Sequence, residues 1–391
     1  MRKRRFAIFL MMLLLAGVGL WVCNFAGQPG EMDPGPGEPG VSPEPVQASP
    51  QTAAPTDEQT GEDQALRIVA VGDIMLGRGV TQSLNMKGLG FSEPFSDTRE
   101  LLKAGDVVFC NLEHPITESE HSLDPNGKFV LKAGPDAVGA LEWAGFNLIS
   151  IANNHILDFY DNGLEDTMVS LSDHDIAFAG AGENLEKARQ MAVMEVKGMR
   201  IGLLAYTEFA DVLYQGDPPL RFAAGSDKTG VAPMDTRHMK EDIEKARDQV
   251  DLLMVSLHWG VEDSFTVTDQ QIELAHWLVD QGADIILGHH PHWFQGIEIY
   301  RGKPIAYSLG NFIFDQPLTQ SKESFILDLT YSQGVLSRLK AYPVRIADRT
   351  RVVRLEGTDA VKLMEREIRL CNELGTSCEI VDGCLEFAIQ K

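Results

Sequence analysis

Downstream of residue 64 two patterns alternate along the chain. The first is a short apolar run stopped by turn or polar residues. LRIVAV (66–71) stops at Gly72-Asp73, and DVVFC (106–110) at Asn111-Leu112-Glu113. NLISIA (147–152) stops at Asn153-Asn154-His155. Met199 to Tyr206 is a further run, Leu252 to Leu257 leads into His258-Trp259-Gly260, and ADIIL (283–287) into Gly288-His289-His290-Pro291-His292. Such runs predict strands buried in a sheet. The second pattern places apolar residues at helical spacing, over Asp136–Trp143, Gly163–His174, Thr236–Gln249 and Thr268–Gln281. Strands alternating with helices predict an α/β fold with a largely parallel core. From Ile299 the pattern changes. Pro304–Ser308, Phe325–Tyr331 and Val335–Arg345 read as antiparallel strands with turns at Arg301-Gly302 and Gln333-Gly334, and a last helix covers Thr358–Glu373. No internal repeat is present.

The N-terminus differs from all of this. Arg2, Lys3, Arg4 and Arg5 precede an uncharged apolar run from Phe6 to Val22. That order predicts a signal anchor over residues 1–25, with the basic flank cytoplasmic and the rest of the chain outside the membrane. The alternatives are a lipoprotein, through Leu20-Trp21-Val22-Cys23, and full secretion. A large Val22 stands where a lipoprotein signal has a small residue, and no Ala-x-Ala-like site follows. Residues 26–65 are rich in Pro, Gly, Glu, Ser and Thr, a composition that buries too little apolar area to fold and predicts a disordered linker. Residues 66–316 form the principal domain, and 317–391 complete it with strands and a helix.

Charge narrows the function. The chain carries 34 Lys+Arg against 57 Asp+Glu, a net −23. Setting aside the four N-terminal bases and the eight linker acids leaves −19 on the remainder. Nucleic acid is excluded as a partner, because its phosphates need a basic footprint. Cys371, Cys378 and Cys384 cluster near the C-terminus without the histidines or paired spacings of a zinc site, and two of the three can pair in an oxidising compartment. Cys110 reads as a buried strand residue.

The polar residues that end the strands carry the candidate chemistry. Asp73, Glu113, Asn154, His155, His258, His290 and His292 all follow apolar runs, at the sheet edge where α/β proteins build their sites. Carboxylates, an amide oxygen and imidazoles, without a thiolate, suit a divalent Mn, Fe or Zn ion, one or two in number. Arg78, just after the Asp73 turn, is placed to grip an anionic substrate, and Asn311 to fix a loop beside the histidines.

Several segments occur here in a fixed order: Gly72-Asp73-Ile74-Met75-Leu76-Gly77-Arg78, Asn111-Leu112-Glu113, Ala152-Asn153-Asn154-His155 with Asp158 and Gly163, His258-Trp259-Gly260, Gly288-His289-His290-Pro291-His292, and Tyr307-Ser308-Leu309-Gly310-Asn311-Phe312. Over Arg67 to Asp315 the sequence resembles the CapA-type poly-γ-glutamate capsule synthesis family, which itself resembles the calcineurin-like metallophosphoesterases. The resemblance implies a four-layer α/β/β/α sandwich. It implies Asp73 as first metal ligand, Glu113 as the bridge, Asn154 as the metal-bound amide and His258, His290 and His292 as imidazole ligands. His289 is an alternative to His290. His155 takes the place of the histidine that protonates a leaving group, and Arg78 and Asn311 stand beside the substrate. Two departures stand out: Met75 occupies a position where a phosphoesterase has histidine, and Glu113 is one methylene longer than aspartate.

Three functions follow as expectations. The first is a cell-envelope protein of poly-γ-glutamate capsule biosynthesis or export. The second is an extracytoplasmic metal-dependent phosphoesterase, and the third a non-catalytic polymer-binding module on the same fold. The partners implied are an anionic envelope polymer or a phosphoester, membrane components of a capsule synthase, and the membrane itself through the N-terminal segment.

Overall fold

The computed structural model describes residues 65–124 and 130–389, all within one compact unit. The anchor expected over 1–25 and all but the last residue of the linker expected over 26–65 lie outside the described residues. None of the described helices is long and apolar enough to cross a membrane.

The chain first lays down four parallel strands, β1 (Leu66–Ile74), β2 (Val107–Leu112), β3 (Leu148–Ser150) and β4 (Ala177–Ala179). It then builds a second sheet from β5 (Ala192–Val196), β6 (Met199–Thr207), β7 (Leu252–His258), β8 (Ile285–His289), β9 (Ile297–Tyr300) and β10 (Lys303–Ala306), in the order β9-β10-β8-β7-β6-β5. It finally returns to the first sheet with β11 (Asn311–Ile313), β12 (Glu323–Ser332), β13 (Val335–Ala347), β14 (Arg351–Arg354), β15 (Cys378–Val381) and β16 (Cys384–Phe387). The first sheet runs β15-β16-β13-β12-β1-β2-β3-β4, with β11 beside β1 and β14 beside β13.

The apolar runs are continuous because each strand is buried on both faces. In β1, Leu66, Ile68 and Ala70 enter the core between the sheets, while Val69 and Val71 enter the core beneath helices. In β7, Leu252 and Met254 face inward, while Leu253, Val255 and Leu257 join the outer core. Helices α1 (Arg78–Lys87), α2 (Asp136–Ala144) and α3 (Tyr160–Asp173) cover the outside of the first sheet through Val80, Leu84, Leu141 and Leu164. Helices α4 (Thr236–Arg247) and α5 (Asp269–Gln281) cover the second through Met239, Ile243, Ala275 and Leu278. The result is the α/β/β/α sandwich that the resemblance implies. A last helix, α6 (Gly357–Glu373), sends Leu363, Met364 and Cys371 into the inter-sheet core.

Several elements differ from the sequence reading. Lys303–Ala306 lies antiparallel to β9 but parallel to β8, so it belongs to the second sheet and not to the antiparallel extension of the first. Helix α1 is not visible in the apolar pattern, since only Val80, Ser83 and Leu84 are buried along it. The hairpin β15–β16 closes on Asp382-Gly383, both at positive φ, the two-residue turn that matches strand twist. Cys110, Cys371, Cys378 and Cys384 are unpaired, and Cys110 is buried in β2.

Candidate metal centre

The site forms where parallel strands of both sheets end. β1 leaves β12 after Ala70 and runs on beside β11, with Asp73 opposite Asn311. The Asp73 N–H donates to the Gly310 carbonyl at 2.8 Å. This approach requires glycine at position 72: a Cβ there would lie 1.8 Å from Gly310 O. Asp73 is thereby fixed, fully buried, at the seam between the sheets. Its Oδ1 accepts from Asn111 Nδ2 (2.9 Å) and lies 3.0 Å from His289 Nδ1, while Oδ2 lies 3.6 Å from His292 Nδ1.

Glu113 follows β2, and Asn154 and His155 follow β3. The loop after β3 is built by Asn153, which is wholly buried. Its Nδ2 donates to Asn111 Oδ1 (3.1 Å) and Leu112 O (2.8 Å), and its Oδ1 accepts the N–H groups of His155 and Ile156. Sequence reasoning quoted Asn153 and Asn111 within its motifs but gave neither a role. The adjoining Asn154 drew attention instead, and a buried amide that organises a loop leaves no pattern of its own.

From the second sheet come the imidazoles. His258, at the end of β7, places Nε2 2.7 Å from Asn154 Oδ1 and 3.9 Å from Glu113 Oε1. Ligand atoms of Asp73, Glu113 and His258 all lie within 4.8 Å of one another. His290 and His292 have φ of +93° and +60°, a strained conformation for residues with a side chain. The His290 ring stands 5.0 Å from that of His258 and 6.1 Å from that of His292. His292 Nδ1 pairs with Asn311 Oδ1 at 2.9 Å, which leaves Nε2 for a ligand.

The remaining candidates lie around this group. His155 Nδ1 is 2.9 Å from Asp158 Oδ2, which also accepts the Leu131 N–H at 2.7 Å. Asn311 is fully buried, its amide paired with His292, Gln316 and Ser321. Arg78 pairs with Asp315 and lies over the Phe314 ring (5.7 Å), which in turn contacts His292 at 5.0 Å. Met75 is buried in the apolar cluster beneath α1–α3 and takes no part in the polar group.

Charge is distributed unevenly. Burial pushes the Glu113 carboxyl well above its usual range, and the neighbouring Asp73 charge adds to this. Burial also opposes ionisation of Asp73, but hydrogen bonds to His289 and His292 hold its carboxyl well below the usual range. Burial, reinforced by neighbouring imidazoles, keeps His258 and His290 neutral. Burial lowers His114 to about 4.

Both Glu113 oxygens, His258 Nδ1, His289 Nε2 and His290 Nδ1 are buried without a hydrogen-bond partner. Each such atom costs about 1–3 kcal/mol when left unmatched. A divalent cation between Asp73, Glu113 and His258 would answer the deficit at Glu113, since neutral imidazoles and carboxylates are the ligands that Mn, Fe and Zn take. The donor set therefore fits a metal.

Residues 67–316 match the family described as bacterial capsule synthesis protein PGA_cap. The PGA biosynthesis protein CapA of Bacillus subtilis (strain 168) is 32% identical over 332 residues, covering 85% of this chain and 84% of its own. The capsule biosynthesis protein CapA of Bacillus anthracis is 33% identical over 297 residues, 73% of this chain and 69% of its own. A probable polyglutamine synthesis accessory protein of Mycobacterium tuberculosis is 30% identical over 364 residues, 81% of this chain and 93% of its own. Among solved structures, TT1561 of Thermus thermophilus aligns with a TM-score of 0.37 at 11% identity, over 69% of this chain and 99% of its own. With the family span enclosing every residue of the strand-end cluster, the chain belongs to the bacterial capsule synthesis protein family PGA_cap.

Proposed function

We propose that the chain serves poly-γ-glutamate capsule biosynthesis at the cell surface through a metal centre formed by Asp73, Glu113, Asn154, His258, His290 and His292. One observation carries this reading: ligand atoms of Asp73, Glu113 and His258, drawn from two sheets, lie within 4.8 Å of one another inside the family span, and both Glu113 oxygens are buried without a hydrogen-bond partner. The apolar N-terminal run tethers the domain to the outer face of the membrane. The folded part is acidic, so a polyanion is repelled within a Debye length of about 8 Å. Contact with such a polymer therefore depends on the cation and on Arg78.

A second reading is hydrolysis of an envelope phosphoester, and the His155–Asp158 pair favours it. When bound, the cation supplies Lewis acidity and acidifies water. Asp158 holds His155 Nδ1, which turns Nε2 out to give a proton to a departing oxygen. With Met75 in place of an imidazole and a longer Glu113 arm, the centre would hold one ion, or two with unequal affinity.

Elemental analysis of the purified full chain tests both readings, alongside turnover of phosphodiesters, phosphomonoesters and γ-linked polyglutamate after loading with Mn, Fe or Zn. Near-stoichiometric metal that His292→Ala loses supports the centre. His155→Ala is expected to lower turnover about 10²–10⁴-fold while keeping the metal. Equal loss of both rejects His155 as proton donor, and absence of metal under every loading rejects the centre.

A further inference from the structure

His290 has a deeply enclosed side and an open one. Its Nδ1 is buried without a partner, whereas its Nε2 faces Glu262 Oε1 at 3.9 Å. Phe209 covers its ring at 4.1 Å between centroids, and the His258 ring stands at 5.0 Å. Glu262 itself is 60% exposed.

The loop that carries Glu262 is tied to the histidine segment. The Asp263 N–H donates to the carbonyl of Pro291, between His290 and His292, at 3.0 Å. Gln295 Nε2 donates to the carbonyls of Ser264 (3.0 Å) and Thr266 (3.2 Å). On the other side, the Gly260 N–H donates to Glu208 Oε1 at 2.9 Å. Glu262 is therefore an exposed side chain on a backbone held against the ligands.

A neutral imidazole has one N–H and one lone pair, and its hydrogen-bond partner decides which nitrogen carries which. His292 and His155 already have such partners in Asn311 and Asp158. For His290 to turn the Nδ1 lone pair inward, the proton must sit on Nε2 and needs an acceptor. Glu262 is the carboxylate beside that nitrogen. Closing 3.9 Å to the roughly 2.8 Å of a charge-assisted hydrogen bond takes about an ångström of movement by an exposed side chain.

Resting on the metal reading above, we propose that Glu262 is a positioning residue of the centre: its carboxylate accepts the Nε2–H of His290 and fixes the tautomer that offers Nδ1 to a cation. Glu262 acts through His290 and does not itself coordinate.

The test compares zinc affinity of the full-length wild-type chain with that of Glu262→Gln and Glu262→Ala, by competition with a chromophoric chelator. Loss of a partner of this kind weakens metal binding about 10–100-fold, the result expected for Glu262→Ala. Glu262→Gln keeps an acceptor oxygen and is expected to stay within a few-fold of wild type. In ¹⁵N-histidine spectra of the zinc-loaded chain, the His290 proton resides on Nε2 in wild type and Glu262→Gln, and exchanges faster with water in Glu262→Ala. Wild-type affinity in Glu262→Ala overturns the proposal. Equal weakening in both variants overturns it in favour of direct coordination. A wild-type chain that binds no zinc, manganese or iron rejects the metal reading together with this inference, so the two failures are distinguishable.

Discussion

Arg67 and Asp328 meet across β1 and β12, where the guanidinium forks onto a wholly buried carboxylate at 2.8 and 2.7 Å. Some residues further along the same sheet, Glu113 is equally buried, yet neither of its oxygens has a partner. In the second sheet Asp284 repeats the first arrangement, taking the Leu253 N–H, Arg247 and Lys303. Where a buried carboxylate serves the fold, the chain supplies the cation and the donors from its own residues. At Glu113 it supplies neither. That difference separates a structural ion pair from a site awaiting a ligand, although burial alone makes the two look the same.

The contrast can be broken at either end. Arg67→Met leaves Asp328 buried and unpaired and is expected to cost about 3 kcal/mol in urea unfolding, with metal content unchanged. Glu113→Gln is expected to do the reverse: metal affinity falls by 100-fold or more, about 2.7 kcal/mol, while the metal-free protein is no less stable. The pH dependence has a definite sign here. The native metal-free chain keeps a proton on Glu113 that the unfolded chain loses above its ordinary value of 4.5, so stability falls as pH rises from there. Glu113→Gln flattens that fall. A Glu113→Gln protein less stable without metal than wild type at neutral pH would remove the contrast.

Smaller effects sharpen it. Asn311→Ala frees His292 Nδ1 and is expected to weaken metal binding about 10–100-fold in a chelator competition. His114 adds an effect that is confined to acid pH. It is fully buried and lowered to about 4, so below its ordinary 6.5 the unfolded chain takes up a proton that the native chain refuses. Stability of the metal-free protein therefore drops on acidification through that interval, by at most about 1.4 kcal/mol per pH unit. His114→Gln is expected to make the slope shallower, as read from urea midpoints across the interval.

How much of this was legible in the sequence depended on what each element buries. β1, β2 and β7 are apolar on both faces, so their runs stand out, and their polar stops mark the sheet edge that holds the ligands. Helix α1 buries so little that propensity and periodicity both miss it. The hairpins at Lys197-Gly198 and Asp382-Gly383 have the same paired positive φ as Arg301-Gly302 and Gln333-Gly334, but β5 and β15, the strands that enter them, are half exposed and show no run. Within the site, residue types pointed to candidate ligands but not to the residues that surround them. Asn111, Asn153 and Glu262 act through hydrogen bonds and proximity across long sequence separations, and such relations exist only once the chain has folded. Asn311 was legible as a residue that fixes a loop beside the histidines, but the pairing of its Oδ1 with His292 Nδ1 exists only in the fold.

Asp73, Glu113 and Asn154 belong to one sheet, and His258, His290 and His292 to the other. An ion bound among them is a rivet through the seam, and its worth grows with the logarithm of its free concentration, about 2.7 kcal/mol at one hundred times the dissociation constant. With that ion in place, the surrounding medium would set part of the molecule's endurance: a chelator would act on it as a denaturant does, and metal scarcity would be felt as a loosening of the whole sandwich as well as an empty site.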